Sequence, residues 1–247
     1  MFRAVLSNVS LFKDSITAIA QIIDEAIFKF KQEGIELIAA DRAKVAAVDF
    51  KLRKEAFDEY ECDKEINVGL NLDNLLKIIK RIKKTEDMEI KINHSENKVE
   101  IIVRGKSTRT FALPILDISE EELPPIDKLQ FSAKADIDTE IVEEGIDDAD
   151  TIADSVVFQI TTSEFSMIAE GDSSKLELKV DVSQDPSLIL EGEAKARYPV
   201  DYLKKFMKAS KLCDRITISF GTDYPMKIEF NAESVYLAFI LAPRVEE

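Results

Sequence analysis

The sequence predicts an α+β protein made of two similar halves, with helices gathered on one face and sheets on the other. Three observations carry that prediction. Residues 71–92 (NLDNLLKIIKRIKKTEDMEIKI) return without a gap as residues 199–220 (PVDYLKKFMKASKLCDRITISF), so that Asp73 meets Asp201, Leu75 meets Leu203, Lys77 meets Lys205 and Lys80 meets Lys208. A second pattern, Phe12, Ile16, Ile19 and Ile23, reappears at nearly the same offset as Val142, Ile146, Ala149 and Ala153. Two offsets this close describe a duplication with little insertion. Between these helical patterns the chain reads mostly as strands, and two helices per half cannot cover both faces of so many strands.

In order, residues 2–6 open as a short strand. From Ser7 the period changes to i, i+4, i+7, which predicts an amphipathic helix with Lys13, Thr17 and Ala20 on its outer face. Strands are expected at 35–40, 45–52, 88–92 and 99–104, then at 165–169, 176–182, 188–196, 215–220, 226–231 and 235–241. Leu176, Leu178, Val180 and Val182 alternate with Glu177, Lys179 and Asp181, as a sheet with one wet face requires. His94-Ser95-Glu96-Asn97 reads as a hairpin turn. Residues 117–129 (DISEEELPPIDKL) form an extended linker, because three glutamates disfavour a packed strand and Pro124-Pro125 remove two N–H donors. The expected domains are therefore 1–116 and 130–247. Leu123, the two prolines and Ile126 have no local core to enter, which hints at a docking surface.

The repeated stretch has two faces. Leu72, Leu75, Leu76, Ile79 and Ile82 fall on one helical stripe, and Lys77, Lys80, Arg81 and Lys84 fall on the other side. Twelve such residues would make a rod about 18 Å long. One basic amphipathic helix, read alone, describes a solvated surface helix first, with a membrane-surface segment or a calmodulin-type target as lesser options. Recurrence inside an acidic chain argues further. The net charge is −15, yet residues 71–84 carry five positive and one negative charge and residues 199–211 carry four and one, which leaves −22 for the other residues. Positive charge sorted onto one kind of element is the footprint of contact with phosphate.

Composition and motifs narrow the alternatives. With 45% hydrophobic and 33% charged residues, 247 residues can bury one or two cores. No run approaches the apolar length of a membrane span and the N-terminus lacks signal-peptide features, so a soluble, intracellular, cytoplasmic protein is expected, with no membrane partner. Cys62 and Cys213 make no disulfide framework and suit burial as small hydrophobes in a reducing compartment. The abundance of Lys, Glu and Ile suits a heat-adapted source. For an enzyme the chain offers little. Its one histidine, His94, is in a turn, and Gly105-Lys106-Ser107 lacks the upstream glycine of a phosphate loop. Glu143, Glu144, Asp147, Asp148, Asp150 and Asp154 lack the ligand spacing of a calcium loop. No catalytic residue, metal or cofactor is expected. A nucleic-acid-binding protein that uses its basic helices without encircling anything, and an uncharacterised α+β enzyme, are the competing classes.

Several motifs, in order, resemble the DNA sliding clamps of the proliferating cell nuclear antigen (PCNA) family in their archaeal form. They are the opening MFRA, GIELIAADRAKVAAVDF at 34–50, YECD at 60–63, VGLNLDNLLKIIK at 68–80, RTFALPILDI at 109–118, DYLKKFMKA at 201–209 and the final LAPRVEE. The resemblance covers essentially the whole chain. It implies a processivity factor rather than an enzyme: three chains of two clamp domains close a six-domain ring as a homotrimer, with helices lining the hole and sheets outside. Inside, Lys77, Lys80, Arg81, Lys84, Lys205 and Lys208, helped by Lys13, Lys204 and Lys211, would face duplex DNA without reading its sequence. Neighbouring chains would join through edge strands, Thr108, Arg109, Thr110, Phe111, Ala112 and Leu113 of one against Leu176, Glu177, Leu178, Lys179, Val180, Asp181 and Val182 of the next.

The resemblance also implies partners. DNA polymerase, clamp loader, flap endonuclease and DNA ligase would each bring a short peptide with a glutamine, an aliphatic residue and two aromatics. Its pocket would use Ala40, Lys44, Val45, Ala47, Leu123, Pro124, Pro125, Ile126, Pro225, Leu241, Ala242, Pro243, Arg244 and Val245. One departure from the family stands out: Glu143, Asp147 and Asp150 are acidic at positions expected to face the hole, so weaker DNA contact is expected from that helix.

Overall fold

The computed structural model describes residues 2–93, 95–119 and 126–244. The first half runs β1 (Phe2–Leu6), α1 (Ser10–Ile19), β2 (Glu25–Lys31), β3 (Gly34–Ala40), β4 (Ala46–Arg53), β5 (Glu59–Cys62), β6 (Ile66–Asn71), α2 (Leu72–Ile79), β7 (Asp87–Asn93), β8 (Lys98–Arg104) and β9 (Thr108–Pro114). The second runs β10 (Ala133–Asp138), α3 (Thr139–Asp150), β11 (Ser155–Ile160), β12 (Glu164–Glu170), β13 (Lys175–Asp181), β14 (Ile189–Gly192), β15 (Ala194–Pro199), α4 (Val200–Phe206), β16 (Arg215–Phe220), β17 (Met226–Asn231) and β18 (Val235–Leu241). Strands and helices follow in the same order in both halves, so the duplication read from two helices extends to every strand.

The chain divides into two compact units: Met1–Arg42, Val48–Glu122 and Ala232–Leu237 form one, and Ala43–Ala47, Leu123–Asn231 and Ala238–Glu247 form the other. In the first, one sheet has the order β5-β1-β7-β8-β9 and the other runs β6-β2-β3-β4, with the Val235–Leu237 part of β18 beside β4. In the second, the same orders return with every strand number raised by nine: β14-β10-β16-β17-β18 and β15-β11-β12-β13. The short Ala46–Ala47 part of β4 lies beside β18 within this unit, where Ala242 N donates to Val45 O at 2.9 Å.

Each core fills the space between sheets and helices. In the first unit Phe2, Ala4 and Leu6 alternate inward from β1, and Phe12, Ile16 and Ile19 of α1 and Leu72, Leu75, Leu76 and Ile79 of α2 are likewise buried. Burying side chains of this size stabilises by about 1.5–3 kcal/mol each, before chain entropy is charged against them. The second unit adds aromatic packing: Phe158, Tyr198 and Phe220 meet edge-to-face at 5.9–6.4 Å, and Phe206 stacks on Phe239 at 4.5 Å.

Strands at 2–6, 215–220, 226–231 and 235–241 form with the expected bounds. Two expectations fail for local reasons. The strand expected at 188–196 is two strands, because Gly192 turns the chain at φ +70°, where a Cβ would lie 2.0 Å from Ser132 O. β14 then pairs with β10 and β15 with β11, in different sheets. The basic helix has eight residues, a length of about 12 Å. After Ile79 the bonds tighten to i→i−3 spacing, Arg81 N to Ile78 O and Ile82 N to Ile79 O, and the Glu86 carboxylate then accepts Lys83 N at 3.0 Å. The same tightening in the second copy makes residues 207–212 a 3₁₀ turn. His94, part of the predicted hairpin turn, lies outside the described residues.

Candidate nucleic-acid interface

Within each unit the two helices pack against each other, α1 on α2 and α3 on α4. Their starts are fixed alike. Asn8 Oδ1 accepts Ser10 N at 3.1 Å, and at the equivalent position of the second unit Asp138 Oδ1 accepts Glu140 N at 2.9 Å. Leu72 N donates to Asp24 O at 2.9 Å, and Val200 N to Asp154 O at 3.0 Å. Asn71 caps α2 by accepting Asn74 N at 3.0 Å, whereas its counterpart Pro199 has no side chain able to do so.

Those caps decide which side chains the helix pairs present. In the first unit Lys77 is exposed on the last turn of α2 and Lys80 is its C-terminal cap residue. Arg81 and Lys84 are exposed in the turn that follows, so the four-residue stripe expected on one helix is spread over a helix and its exit. Lys13 is half-buried on α1. None of these five makes an ion pair among the described residues. In the second unit Lys204 and Lys205 are half-buried on α4, and Lys208 and Lys211 are exposed on the 3₁₀ turn. Lys205 Nζ lies 5.0 Å from the centre of the Tyr202 ring. Lys204 Nζ instead reaches Asp150 Oδ2 at 2.6 Å. Helix α3 turns Glu140, Glu144, Asp147, Asp148 and Asp150 outward, with Glu143 half-buried, so this pair of helices carries both signs of charge.

The two predicted interface segments are edge strands of their sheets, β9 in the first unit and β13 in the second. Along β9, Thr108, Thr110 and Ala112 are exposed while Arg109 and Phe111 are half-buried and Leu113 is buried. Along β13, Glu177 and Lys179 are exposed, Leu176, Leu178 and Asp181 are half-buried and Val180 is buried; Val182 follows the strand, exposed. Each edge therefore offers an incompletely covered apolar row. Arg109 is braced by Glu86, in the turn before β7, at 2.6 Å, a contact that no local pattern announces. Glu86 also accepts Lys83 N, and with Arg109 beside it its carboxyl is held below the usual range.

The predicted peptide-pocket residues divide between the units. Ala40 is half-buried in the first. In the second, Lys44 is exposed at φ +56°, Val45, Ile126, Pro225, Ala242 and Pro243 are half-buried, and Arg244 is exposed. Ala47 and Leu241 are buried at 4% and 0% exposure, which makes them core side chains rather than a lining a peptide can touch. Arg244 N donates to Arg197 O at 2.8 Å and its guanidinium pairs with Asp154 at 2.7 Å, which tethers the segment after β18. Leu123, Pro124, Pro125 and Val245 lie outside the described residues. A cavity of about 510 Å³ in the first unit, lined in part by Lys51, Arg53, Glu55 and Tyr236, involves none of the predicted site residues. Among the described residues no three His, Cys, Asp or Glu side chains converge as metal ligands.

Comparison with known proteins agrees with the doubled architecture. Residues 1–122 match the family model "Proliferating cell nuclear antigen, N-terminal domain" and residues 125–245 match its C-terminal counterpart. The chain is 36% identical to the DNA polymerase sliding clamps of Pyrococcus abyssi and Thermococcus gammatolerans, over all of its own length and 99% of theirs. Among solved structures it resembles PCNA from Thermococcus kodakaraensis (TM-score 0.89, 27% identity, 99% of this chain and 100% of that one) and from Entamoeba histolytica (TM-score 0.90, 26% identity, 99% of both). It also resembles a PCNA2–PCNA3 complex from Sulfolobus tokodaii (TM-score 0.89, 25% identity, 99% of this chain and 100% of that one). With the two family models together matching residues 1–122 and 125–245 and the sheet order repeating between the units, the chain belongs to the proliferating cell nuclear antigen family.

Proposed function

We propose that the chain is a non-catalytic DNA sliding clamp, three copies of which close a ring around duplex DNA and tether polymerase to it. The observation that carries this reading is the repeat of strand order. In both units the order leaves a strand unpaired on its outer side, β9 in the first and β13 in the second, each at a sheet edge. Two such edges can pair between copies, β9 of one against β13 of the next. That contact joins two different surfaces, and such a contact closes when the rotation per copy divides a full turn. The apolar rows of Phe111 and Leu113 on one edge and Leu176, Leu178 and Val180 on the other fit burial by such a neighbour.

The charge pattern supports DNA as the thing encircled. Lys13, Lys77, Lys80, Lys84, Lys205, Lys208 and Lys211 supply flexible point charges, joined by the guanidinium of Arg81, on the helices and the turns that follow them, inside a chain whose other residues are strongly acidic. Phosphate contacts of this kind hold a duplex without fixing its sequence, which permits sliding. In this reading the clamp domains are 1–116 and 130–247 joined by 117–129, and the working place is inside the cell, on the chromosome. The linker and the segment after β18 receive peptides from clamp loader, flap endonuclease and ligase, through Ala40, Lys44, Val45, Ile126, Pro225 and residues 242–245.

Two measurements test it. Light scattering should give three times the 27.9 kDa chain mass; a single-chain mass at micromolar concentration would end the ring reading. Protein loaded on closed circular DNA should be lost when the circle is cut, whereas a protein that only grips the groove with its basic helices would remain bound.

A further inference from the structure

The four lysines of the second basic segment are not equivalent. Lys204 Nζ lies 2.6 Å from Asp150 Oδ2, and both side chains are partly exposed, at 39% and 43%. Asp150 is the last residue of α3, so the ammonium also lies at the end of a helix where unpaired carbonyl groups carry partial negative charge. Asp147, one turn earlier, adds a second carboxylate acting on the same ammonium, and the Lys204 pKa is raised chiefly by its hydrogen bond to Asp150. Lys205 instead lies over the Tyr202 ring, and Lys208 and Lys211 are exposed with no ion pair among the described residues.

The duplication explains where Lys204 points. Its counterpart in the first unit is Leu76, which is buried at 6% exposure, and the counterpart of Asp150 is Ala20. Leu76 therefore occupies an inward position of the α1–α2 pair, and the equivalent position of the α3–α4 pair holds a lysine facing a carboxylate. An ion pair stands in the second unit where the first has two apolar residues.

We infer that Asp150 is a positioning residue that holds Lys204 along the α3–α4 seam and withholds it from DNA, so that the second unit grips phosphate with Lys205, Lys208 and Lys211 alone. This rests on the clamp reading above. An isolated exposed ion pair yields readily to a competing anion. Here, however, a phosphate reaching Lys204 must also approach Asp147 and Asp150, whose charges repel it. The acidic α3 helix thus acts by subtraction, lowering the number of contacts that a sliding ring must break and remake.

The dependence of DNA affinity on salt counts those contacts, since log K falls against log salt with a slope of about −0.9 per phosphate neutralised on B-DNA. Asp150→Asn should steepen the slope and tighten binding at 0.1–0.2 M salt. Lys204→Gln in the Asp150→Asn background should remove that gain. In the unmodified chain Lys204→Gln should leave the slope in place, while Lys208→Gln flattens it. If Asp150→Asn leaves the slope unchanged, or if Lys204→Gln alone flattens it as much as Lys208→Gln, the inference is wrong and the clamp reading stands. If neither Lys208→Gln nor Lys77→Gln alters binding, the basic helices do not contact DNA and both fall.

Discussion

Glu89 lies on β7 with its side chain on the face away from the helices, yet it is only 1% exposed because Arg3, Lys91 and Arg104 cover it. Burial alone would raise its pKa, but hydrogen bonds from Arg104, Arg3 and Lys91 outweigh that and bring it down to about 2, against 4.5 unperturbed. A depressed carboxylate stabilises the fold fully above its unfolded pKa and loses that contribution as pH falls through the folded value. Glu89→Gln should therefore lower the unfolding free energy by about 2 kcal/mol at pH 7, less than the whole shift implies because solvent screens Arg104 and Lys91. The gap between variant and parent should close as pH drops from about 4.5 toward 2, read by urea unfolding at several pH values. Arg3 also pairs with Glu59, so the network ties β5, β1, β7 and β8 across one sheet. Nothing in the spacing of these residues announces it. Residues 3, 59, 89 and 104 come together only through strand register, which sequence periodicity does not contain.

At the scale of elements, the apolar stripes were legible because helix and strand periods are printed directly in residue order. Phe12, Ile16 and Ile19, and Leu72, Leu75, Leu76 and Ile79, are buried as their spacing predicts. Element ends were less legible. The basic helix stops short as its bonds tighten to i→i−3 spacing after Ile79, and Glu86, which no motif marks, then accepts the Lys83 N–H of the turn that follows. The start of α2 rests on Asn71, and Asn71→Ala should cost about 1 kcal/mol in chemical denaturation. Its counterpart Pro199 offers no such bond, so the equivalent change there removes no cap. Gly192 sets the switch from β14 to β15, and the expected continuous strand at 188–196 failed because a single left-handed residue outweighs the β pattern around it. Gly192→Ala places a Cβ against the Ser132 carbonyl and should destabilise by more than about 2 kcal/mol, or prevent folding of the second unit. For the proposed contact between copies, Phe111→Asp or Leu178→Asp buries a charge in an apolar row. Either should convert the three-chain mass to that of one chain while the circular dichroism spectrum is kept.

At the scale of the whole molecule, what matters is how charge is divided. A chain of net charge −15 repels DNA unless its cations are concentrated, and the helix pairs concentrate them. The second unit offsets part of that concentration with α3. Asp147→Lys should accordingly increase retention on closed circular DNA and shift its loss to higher salt; unchanged or reduced retention would contradict the charge account. The duplication and the sorted charge were readable in the sequence, since each is a property of composition or spacing. Which lysines are available, and which predicted pocket residues are buried, was not readable, because both depend on partners brought together by folding.

The two unpaired edges differ, so each copy offers one surface of either kind. A copy with β9 intact and β13 blocked by Leu178→Asp can be taken up at only one of its ends and then acts as a chain terminator. Mixed with unmodified protein it would poison closure, and the yield of intact circles would fall as the cube of the unmodified fraction rather than in proportion to it. Titration of the blocked copy against circular-DNA retention reads that exponent directly, and with it the number of places around the hole.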